Sequence, residues 1–318
     1  MGIEDVESTV MVKRPTSTRH FAIWILVLSF LPILGGCQAP AEQPMAYSEV
    51  RSSVSIRDSA DGTLTWDGML DRTDEADVIV LGELHDDHVA HLVQRAVVED
   101  VADRRPGTVL AMEMLERDEQ IVVDDYRDGV ISSEEFTKLT FSGSWSGEGS
   151  WDDWYLPIID AAHEHGAIVI AANAPRRYVT LARTDGYERL EELPGERRRF
   201  VDWPDPQVDG AYRRRFMNLM SSHGDDEIDP EIAESFFRAQ QTWDATMAAS
   251  VAGNMPDDGG ASILLLGRFH SDHEGGTVQM LRRLAPGANI LVISLGPPDD
   301  DEGEGPRADL VIEELSSD

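Results

Sequence analysis

Cysteine is almost absent from this sequence. The 318 residues include one cysteine, Cys37, so no disulfide can form within the chain. Basic residues are also few, because 27 lysines and arginines face 60 aspartates and glutamates and leave a formal charge of -33. A surface of this sign repels phosphate backbones and anionic lipid headgroups. The composition therefore argues against nucleic-acid binding.

Several catalytic signatures are missing as well. The sequence contains no G-x-S-x-G turn and no H-E-x-x-H helix, which disfavours a serine hydrolase of the common type and a zincin. Neither G-x-G-x-x-G nor G-x-x-x-x-G-K-S/T is present, so nucleotide chemistry of the usual kinds is also disfavoured.

The apolar run near the start of the chain is too short for a comfortable bilayer span. "FAIWILVLSFLPIL" has 14 residues and follows Lys13, Arg14 and Arg19, as in a secretory signal peptide. It continues into "LGGC", which resembles a bacterial lipobox. We predict a lipoprotein signal peptide over 1–36, cleavage before Cys37 and a lipid on its sulfur. The alternatives are an ordinary signal peptide and an uncleaved anchor.

This processing predicts an exported protein that is lipid-anchored to the cell envelope. The charge stays at -33, because residues 1–36 hold three basic and three acidic side chains. Gln38, which follows the cysteine, slightly favours the outer membrane. Residues 37–61 are rich in Ala, Ser, Glu, Gln and Pro and predict a flexible tether. Residues 301–318 predict an acidic tail with a final strand in "DLVIEEL".

Short apolar runs alternate with amphipathic segments between these ends. The runs that predict strands buried on both faces are "VIVLG", "TVLAMEM", "AIVIAANA", "SILLLG" and "ILVISLG". Helical spacing occurs in "DDHVAHLVQRAVVEDVADR", "EEFTKLT", "WDDWYLPIIDAAHEHG", "EIAESFFRAQQTWDATMAASVAGN" and "TVQMLRRL". The alternation predicts one α/β domain over 62–300, with a mostly parallel central sheet flanked by helices. The charged, proline-containing segment 184–230 predicts a helical insertion that caps one edge of the sheet.

A G-x-x-H motif follows two of the predicted strands. Gly82-Glu83-Leu84-His85 and Gly267-Arg268-Phe269-His270 each come directly after an apolar run. Residues just past the carboxyl ends of parallel strands line the crevice where ligands bind. If the two strands are neighbours, the two imidazoles point to one place, and each glycine lets the backbone approach a partner closely.

These paired motifs resemble those of the superfamily of ChaN-type haem-binding lipoproteins, Tiki metalloproteases, the TraB group and erythromycin esterases. Further stretches are similar to the ChaN branch: "GELHDDHVAHLVQ", "AMEM", "WDDWYLPIIDAA", "IVIAANAPR", "FFRAQQTWDATMA" and "GRFHSDHEGGTVQML". Together they cover residues 76–296. The resemblance implies a membrane-attached protein of iron uptake that binds haem, as a homodimer around paired haems. It also implies tyrosine ligation of the iron, for which Tyr126, Tyr155 and Tyr178 are candidates.

The same residues allow a second chemistry. Glu83, His85, Glu113 and His270 are donors that could converge on a divalent metal and leave a position for water. Such a site predicts a metal-dependent hydrolase, either a Tiki-like peptidase or an esterase, with Glu83, His85 and His270 as its catalytic residues. The histidines could instead be turn residues bonded to backbone, and the acids could be structural. A purely structural envelope lipoprotein is a third hypothesis.

Other polar and aromatic side chains are predicted to face the same crevice. The predicted haem- or ligand-binding set comprises His85, His270, Glu113, Asn173, Gln240, Asp244 and Tyr155. Gln240 and Asp244 lie one turn apart on a long helix, and Asn173 ends a strand. A flat ligand would pack well against Trp145, Trp151 and Trp154, although such clusters commonly pack loop on sheet. Arg176 and Arg177 could pair with propionates or lie on the surface.

Overall fold

One eight-stranded sheet lies at the centre of the computed structural model, which describes residues 45–140, 142–145, 147, 149–222, 229–257, 259–298 and 303–315. The strand order is β2-β1-β8-β7-β3-β6-β4-β5. The strands are β1 (Val54–Asp58), β2 (Thr63–Leu64), β3 (Val78–Glu83), β4 (Val109–Glu116), β5 (Ile168–Asn173), β6 (Ser262–Gly267), β7 (Ile290–Leu295) and β8 (Leu310–Glu314).

The sheet is mostly parallel, as predicted. The six strands from β8 to β5 pair in parallel, and β1 and β2 add two antiparallel strands at one edge. Every residue of β3, β6 and β7 is buried, because helices cover both faces of the sheet. The six predicted apolar runs, including "DLVIEEL", correspond to β3 to β8.

Eleven α-helices occur in the described residues. They are α1 (Trp66–Asp74), α2 (His88–Arg104), α3 (Gln120–Arg127), α4 (Ser133–Leu139), α5 (Leu156–Glu164), α6 (Arg176–Asp185), α7 (Glu188–Glu191), α8 (Gly195–Arg198), α9 (Ala211–Ser222), α10 (Pro230–Gly253) and α11 (Gly276–Leu284). A π-helical turn, Trp151–Tyr155, leads into α5. The helices predicted from apolar spacing are α2, α4, α5, α10 and α11. None of the described helices is both long and apolar enough to cross a membrane.

Side chains of each central strand alternate between two cores. In β3, Ile79 and Leu81 pack with α1, α2 and α5, whereas Val78 and Val80 pack with α9, α10 and α11. This alternation follows from the two-residue period of a strand. Since both sets are apolar, the sheet is held between two helical layers, and in β3, β5 and β6 the polar residues lie at the strand ends.

The segment predicted as a helical insertion, 184–230, contains α7, α8 and α9 among its described residues. Leu190 and Val201 pack with Tyr178 of α6 and Ala239 of α10 in a third, smaller core. The backbone N–H of Asp202 donates to the Thr246 hydroxyl of α10 at 3.0 Å. The insertion therefore packs on α6 and α10.

The prediction of a structureless tether over 37–61 is wrong for its described part. Residues Tyr47–Ser52 form a 3-10 helix, and Val54–Asp58 form β1, which pairs with β8. Ile56 is 2% exposed. The reason is that β1 covers the edge of β8, a partner more than 250 residues away that composition does not reveal. The signal peptide, Cys37 and residues 38–44 lie outside the described residues.

Candidate functional site

The two G-x-x-H turns lie side by side. Strands β3 and β6 are parallel neighbours, and Glu83 is paired in register with Gly267. Because both strands end at the same edge of the sheet, His85 and His270 emerge on the same side of the molecule. This agrees with the prediction that the two motifs occupy neighbouring strands.

Both glycines are required for close approach. Gly267 has a φ of -62°, which any residue can adopt, so a left-handed backbone conformation is not the reason why a glycine occupies this position. A Cβ at Gly82 would lie 2.4 Å from the Ser271 hydroxyl oxygen, inside the second turn. A Cβ at Gly267 would lie 3.0 Å from Nε2 of His85. The missing side chains therefore let the two turns and the His85 ring pack together.

Glu83 holds His85 in place. Its Oε1 accepts the Tyr155 hydroxyl at 2.6 Å and lies 2.8 Å from Nδ1 of His85, while its Oε2 accepts the Gln94 amide. Burial disfavours the carboxylate, but the charge of His91 and the bonds from His85 and Tyr155 lower the pKa of Glu83 below its ordinary value. The anion is therefore retained in a fully buried position.

The His85 ring is oriented by this acid and partly open to solvent. Its side chain is 32% exposed, and it meets Trp145 edge to face with 5.7 Å between ring centroids. Burial works against the charged ring, but the hydrogen bond and charge of Glu83, with the charge of Glu113, raise the pKa of His85 to about 9. Within the described part of the chain, Nδ1 makes the hydrogen bonds and Nε2 faces Gly267.

His270 has an equivalent partner from another element. Oδ1 of Asp244, on α10, lies 2.7 Å from Nδ1 of His270 and also accepts the Thr277 hydroxyl. The Tyr212 hydroxyl donates to Oδ2 of Asp244, and the Gln240 amide lies 3.2 Å from the His270 ring. Burial lowers the pKa of His270, but Asp244 and Glu113 outweigh it and raise the pKa above its ordinary value.

Glu113 connects the two histidines. Its Oε2 accepts the backbone N–H of Gly267 at 2.6 Å, and its Oε1 lies 3.5 Å from Nε2 of His270. Since Gly267 also adjoins Nε2 of His85, the two imidazoles approach one carboxylate from different strands. Glu113 therefore lies between two histidines, each of which has an acid on its Nδ1.

The predicted divalent metal site is not supported. Among the described residues, no group of three or more His, Cys, Asp or Glu side chains is arranged to hold a metal ion. The reason is that the acids already have partners: both oxygens of Glu83 accept side-chain hydrogen bonds, and Oε2 of Glu113 accepts a main-chain one. The residues concerned in this correction are Glu83, His85, Glu113 and His270.

The second half of each repeat is structural. Asp87 caps α2 by accepting the backbone N–H groups of Val89 and Ala90. Asp272, its counterpart, accepts the Ser294 hydroxyl at 2.9 Å. His273 is half-buried, and its Nδ1 lies 3.2 Å from the main-chain oxygen of Gly305. The G-x-x-H part of the repeat carries the two acid-paired histidines, whereas the following Asp shapes the adjoining loops.

The other predicted residues fall into two groups. Gln240, Asp244 and Tyr155 contact the two histidines directly or through Glu83. Asn173 instead shapes the strand end, because its amide donates to the main-chain oxygen of Glu113 and its oxygen accepts the N–H of Ala174. All four are buried.

Four supporting residues are not among those predicted from the sequence. His91 stacks on Trp154 and donates from Nε2 to the His85 main-chain oxygen, and Gln94 donates to Glu83 from the same helix. Tyr212 and Thr277 bind Asp244. Helical spacing could have found His91 and Gln94, three residues apart on one face, but Tyr212 lies in an insertion with no motif around it.

Together, the fold and the site define an α/β protein with two acid-oriented histidines at the carboxyl edge of a parallel sheet. The family model described as haem-binding uptake, Tiki superfamily, ChaN matches residues 69–281. The chain belongs to this family. The matched range includes both G-x-x-H turns, Glu113 and Asp244.

One solved structure supports the fold. The structure described as cofacial heme binding to ChaN of Campylobacter jejuni has a TM-score of 0.62 and 20% identity, covering 82% of this chain and 96% of that one. An erythromycin esterase mutant in its open conformation has a TM-score of 0.43 and 13% identity, with coverages of 80% and 83%. A Bacillus cereus protein has a TM-score of 0.42 and 14% identity, with coverages of 86% and 81%. No curated protein matches the chain.

Proposed function

We propose that this protein binds haem in the crevice between the two G-x-x-H turns and serves haem or iron acquisition. The observation that carries the proposal is the match of the haem-binding uptake family over residues 69–281, which spans the whole site. The Campylobacter jejuni relative is described as binding heme cofacially. Haem is the cargo here rather than a cofactor of a reaction.

The crevice suits a porphyrin in its chemistry. His85 combines a partly exposed ring with a carboxylate on Nδ1, and a carboxylate in that position fixes the tautomer and raises the basicity of a histidine ligand. Trp145 adds an aromatic surface beside the ring. Tyr155 is fully buried with its hydroxyl on Glu83, so in our proposal it positions His85 instead of holding iron.

Titration of the purified chain with haemin tests the proposal. With the wild-type chain we expect a shift of the Soret band that saturates. We expect the His85→Ala variant to bind haemin at least about tenfold more weakly, because it loses a side chain that contacts the iron or lies next to it. His88→Ala is the matched control, since His88 lies three residues away with its ring near the main-chain oxygen of Met45. The absence of any Soret shift with the wild-type chain would contradict haem binding.

We propose further that the chain is exported and anchored by a lipid on Cys37, with the outer membrane favoured. Support comes from the apolar run, the "LGGC" sequence and the position of the lone cysteine. Labelling cells with a radioactive fatty acid should mark the wild-type chain and leave Cys37→Ala unlabelled. Label that persists on the variant would contradict the anchor.

Cofacial haem in the Campylobacter jejuni relative also suggests a homodimer around paired haems. Light scattering of the chain with and without haemin is the test. A doubling of the molecular mass on addition of haemin supports the dimer, and an unchanged monomer with bound haemin contradicts it.

Hydrolysis is the second candidate, favoured by the Glu83–His85 pair. A histidine with a carboxylate on Nδ1 and a partly exposed ring has the arrangement of an acid–base group and its orienting carboxylate, and a pKa of about 9 makes it a general acid at neutral pH. Assays with ester and peptide substrates, in the presence and absence of a chelator, would detect it. Turnover that disappears in both His85→Ala and Glu83→Gln supports this candidate, and turnover that survives in them contradicts it.

A further inference from the structure

Arg176 forms the outer member of a row of side chains that begins at His85. The His85 ring contacts the edge of Trp145, and Cζ of Arg176 lies 5.3 Å from the centroid of the same indole. Arg176 opens α6, three residues after the end of β5, and so belongs to the carboxyl edge of the sheet. One aromatic ring therefore separates an imidazole from a guanidinium at the mouth of the crevice.

The charge of Arg176 is only weakly engaged. Its side chain is 59% exposed, and its Nε lies 3.9 Å from Oε1 of Glu116, which is beyond hydrogen-bond distance. The next residue behaves differently, because Arg177 makes a 2.6 Å ion pair with Asp118. Both cations lie over an aromatic ring, Arg177 over Tyr178 and Arg176 over Trp145. Of the two, Arg176 is the one that lies beside the ring in contact with His85 and is not bound directly to an acid.

We infer that Arg176 and Trp145 form a subsite for a carboxylate carried on the rim of a planar ligand, which in our proposed function is a haem propionate. A guanidinium binds a carboxylate through charge-assisted, often bidentate hydrogen bonds. The indole of Trp145 supplies a flat surface against which the ligand packs. His85, beside the indole, faces the centre of the ligand. A porphyrin has its carboxylates at the periphery, away from the iron, and this matches a cation set one ring away from the imidazole.

Glu116 competes for the same cation. Its carboxylate is the nearest acid to Arg176, and burial, followed by the charge of Asp118, raises the pKa of Glu116 despite the bond from the Arg176 main chain. Removing this charge should free the guanidinium and reduce repulsion of an incoming anion. The subsite therefore predicts that removing the charge of Arg176 weakens anion binding and that removing the charge of Glu116 strengthens it.

Binding of haemin and of haemin dimethyl ester, which lacks the carboxylates, tests the subsite. With haemin, we expect Arg176→Gln to bind about tenfold more weakly, the scale of one charge-assisted hydrogen bond, and Glu116→Gln to bind more tightly. With the ester, we expect wild type and Arg176→Gln to have equal affinity. Arg177→Gln is the matched control and should leave haemin binding unchanged.

The outcomes separate this inference from the proposed function on which it rests. Equal haemin affinity of wild type and Arg176→Gln overturns the subsite alone, as does an equal loss for haemin and its ester. A wild-type chain that binds no haemin overturns both. Because Arg176 is exposed, its replacement should not unfold the protein, and an unchanged melting curve checks this.

Discussion

Two histidines of this protein have the same local chemistry although their partners come from different elements. Glu83 lies two residues before His85 in the sequence, whereas Asp244 reaches His270 from α10. In both cases the acid binds Nδ1, which fixes the ring orientation and leaves Nε2 facing Gly267 in His85 and Glu113 in His270. The G-x-x-H motif therefore specifies the two histidines but does not specify which acid pairs with His270.

Gly267 provides a direct test of close packing in the crevice. In Gly267→Ala the new methyl group would lie 3.0 Å from Nε2 of His85, so the ring must shift. We expect haemin affinity to fall about tenfold while stability drops by only about 1 kcal/mol, as for mild overpacking. Haemin titration and urea unfolding measure the two effects.

Gly287→Ala is the control, because a Cβ there has no atom within 4 Å. It should change neither quantity. Unaltered haemin binding by Gly267→Ala would show that the His85 ring is not held where the ligand binds.

Glu119 should make stability depend on pH. Burial, followed by the charges of Glu116 and Asp118, raises the pKa of Glu119 to about 8. The hydrogen bond from the Glu116 N–H lowers this pKa but is outweighed. A raised pKa means that the folded state favours the neutral acid. This contribution is complete below about pH 4.5 and is lost as the pH rises to about 8.

Glu119→Gln keeps the hydrogen-bond acceptor without the charge. We expect it to match wild type near pH 4.5 and to be more stable at pH 8.5, on the order of 1 kcal/mol after solvent screening. Glu135→Gln is the control, since Glu135 has the same capping-box position in α4 but is exposed and has a lowered pKa. Thermal melts at both pH values decide the matter, and a gain that is equal at both would contradict the assigned cause.

At the scale of elements, β1 attaches the segment before α1 to the sheet by pairing with β8. Ile56 pairs in register with Ile312 of β8 and is buried in the core beneath α1 and α2. A strand with one polar face and five residues carries a weak sequence signal, so composition alone favoured a tether. The pairing with β8 supplies the hydrogen bonds and the burial that the segment lacks by itself.

Ile56→Ala tests whether β1 is part of the cooperative fold. Truncating a buried isoleucine leaves a cavity and should cost about 2 to 5 kcal/mol of unfolding free energy. Thr63→Ala on the adjacent β2 is the control, because Thr63 is exposed and its loss should cost little. If urea unfolding gave Ile56→Ala the same stability as wild type, β1 would be detached from the folding unit.

The edge strand at the other end of the sheet is protected by a side chain. Gln120 of α3 donates to the main-chain oxygen of Val169 and accepts the N–H of Ala171, both on β5. Among the described residues β5 has no partner strand on its outer side, and Gln120 takes that place. Such a cover hinders pairing with a strand from another molecule.

At the scale of the whole molecule, the excess of acids sets the response to salt. A formal charge of -33 makes the folded chain repel itself, and salt screens that repulsion. We expect the urea midpoint to rise between about 0.02 M and 0.5 M NaCl. KCl at equal ionic strength is the control and should give the same rise. A midpoint that stays constant or falls would show that attractive ion pairs outweigh the net charge.

The sequence predicted the central fold well because its signals are local. Runs of apolar residues such as "VIVLG" and "SILLLG" bury both faces of a strand, and this determines a helix-covered parallel sheet. The two G-x-x-H motifs likewise indicated which strand ends face the crevice. The prediction failed for β1, whose partner is distant. The metal site is not supported among the described residues, because its acids already have hydrogen-bond partners.

By itself, then, the sequence determined the α/β class, the family and the pair of histidines, because each depends on residues that are close together along the chain. The tertiary structure alone decided which acid orients each ring, that Glu113 lies between them, and that Arg176 stands over Trp145. These contacts join residues from different strands and helices. Their partners are chosen by the packing of the sheet and its helices, which no local pattern encodes.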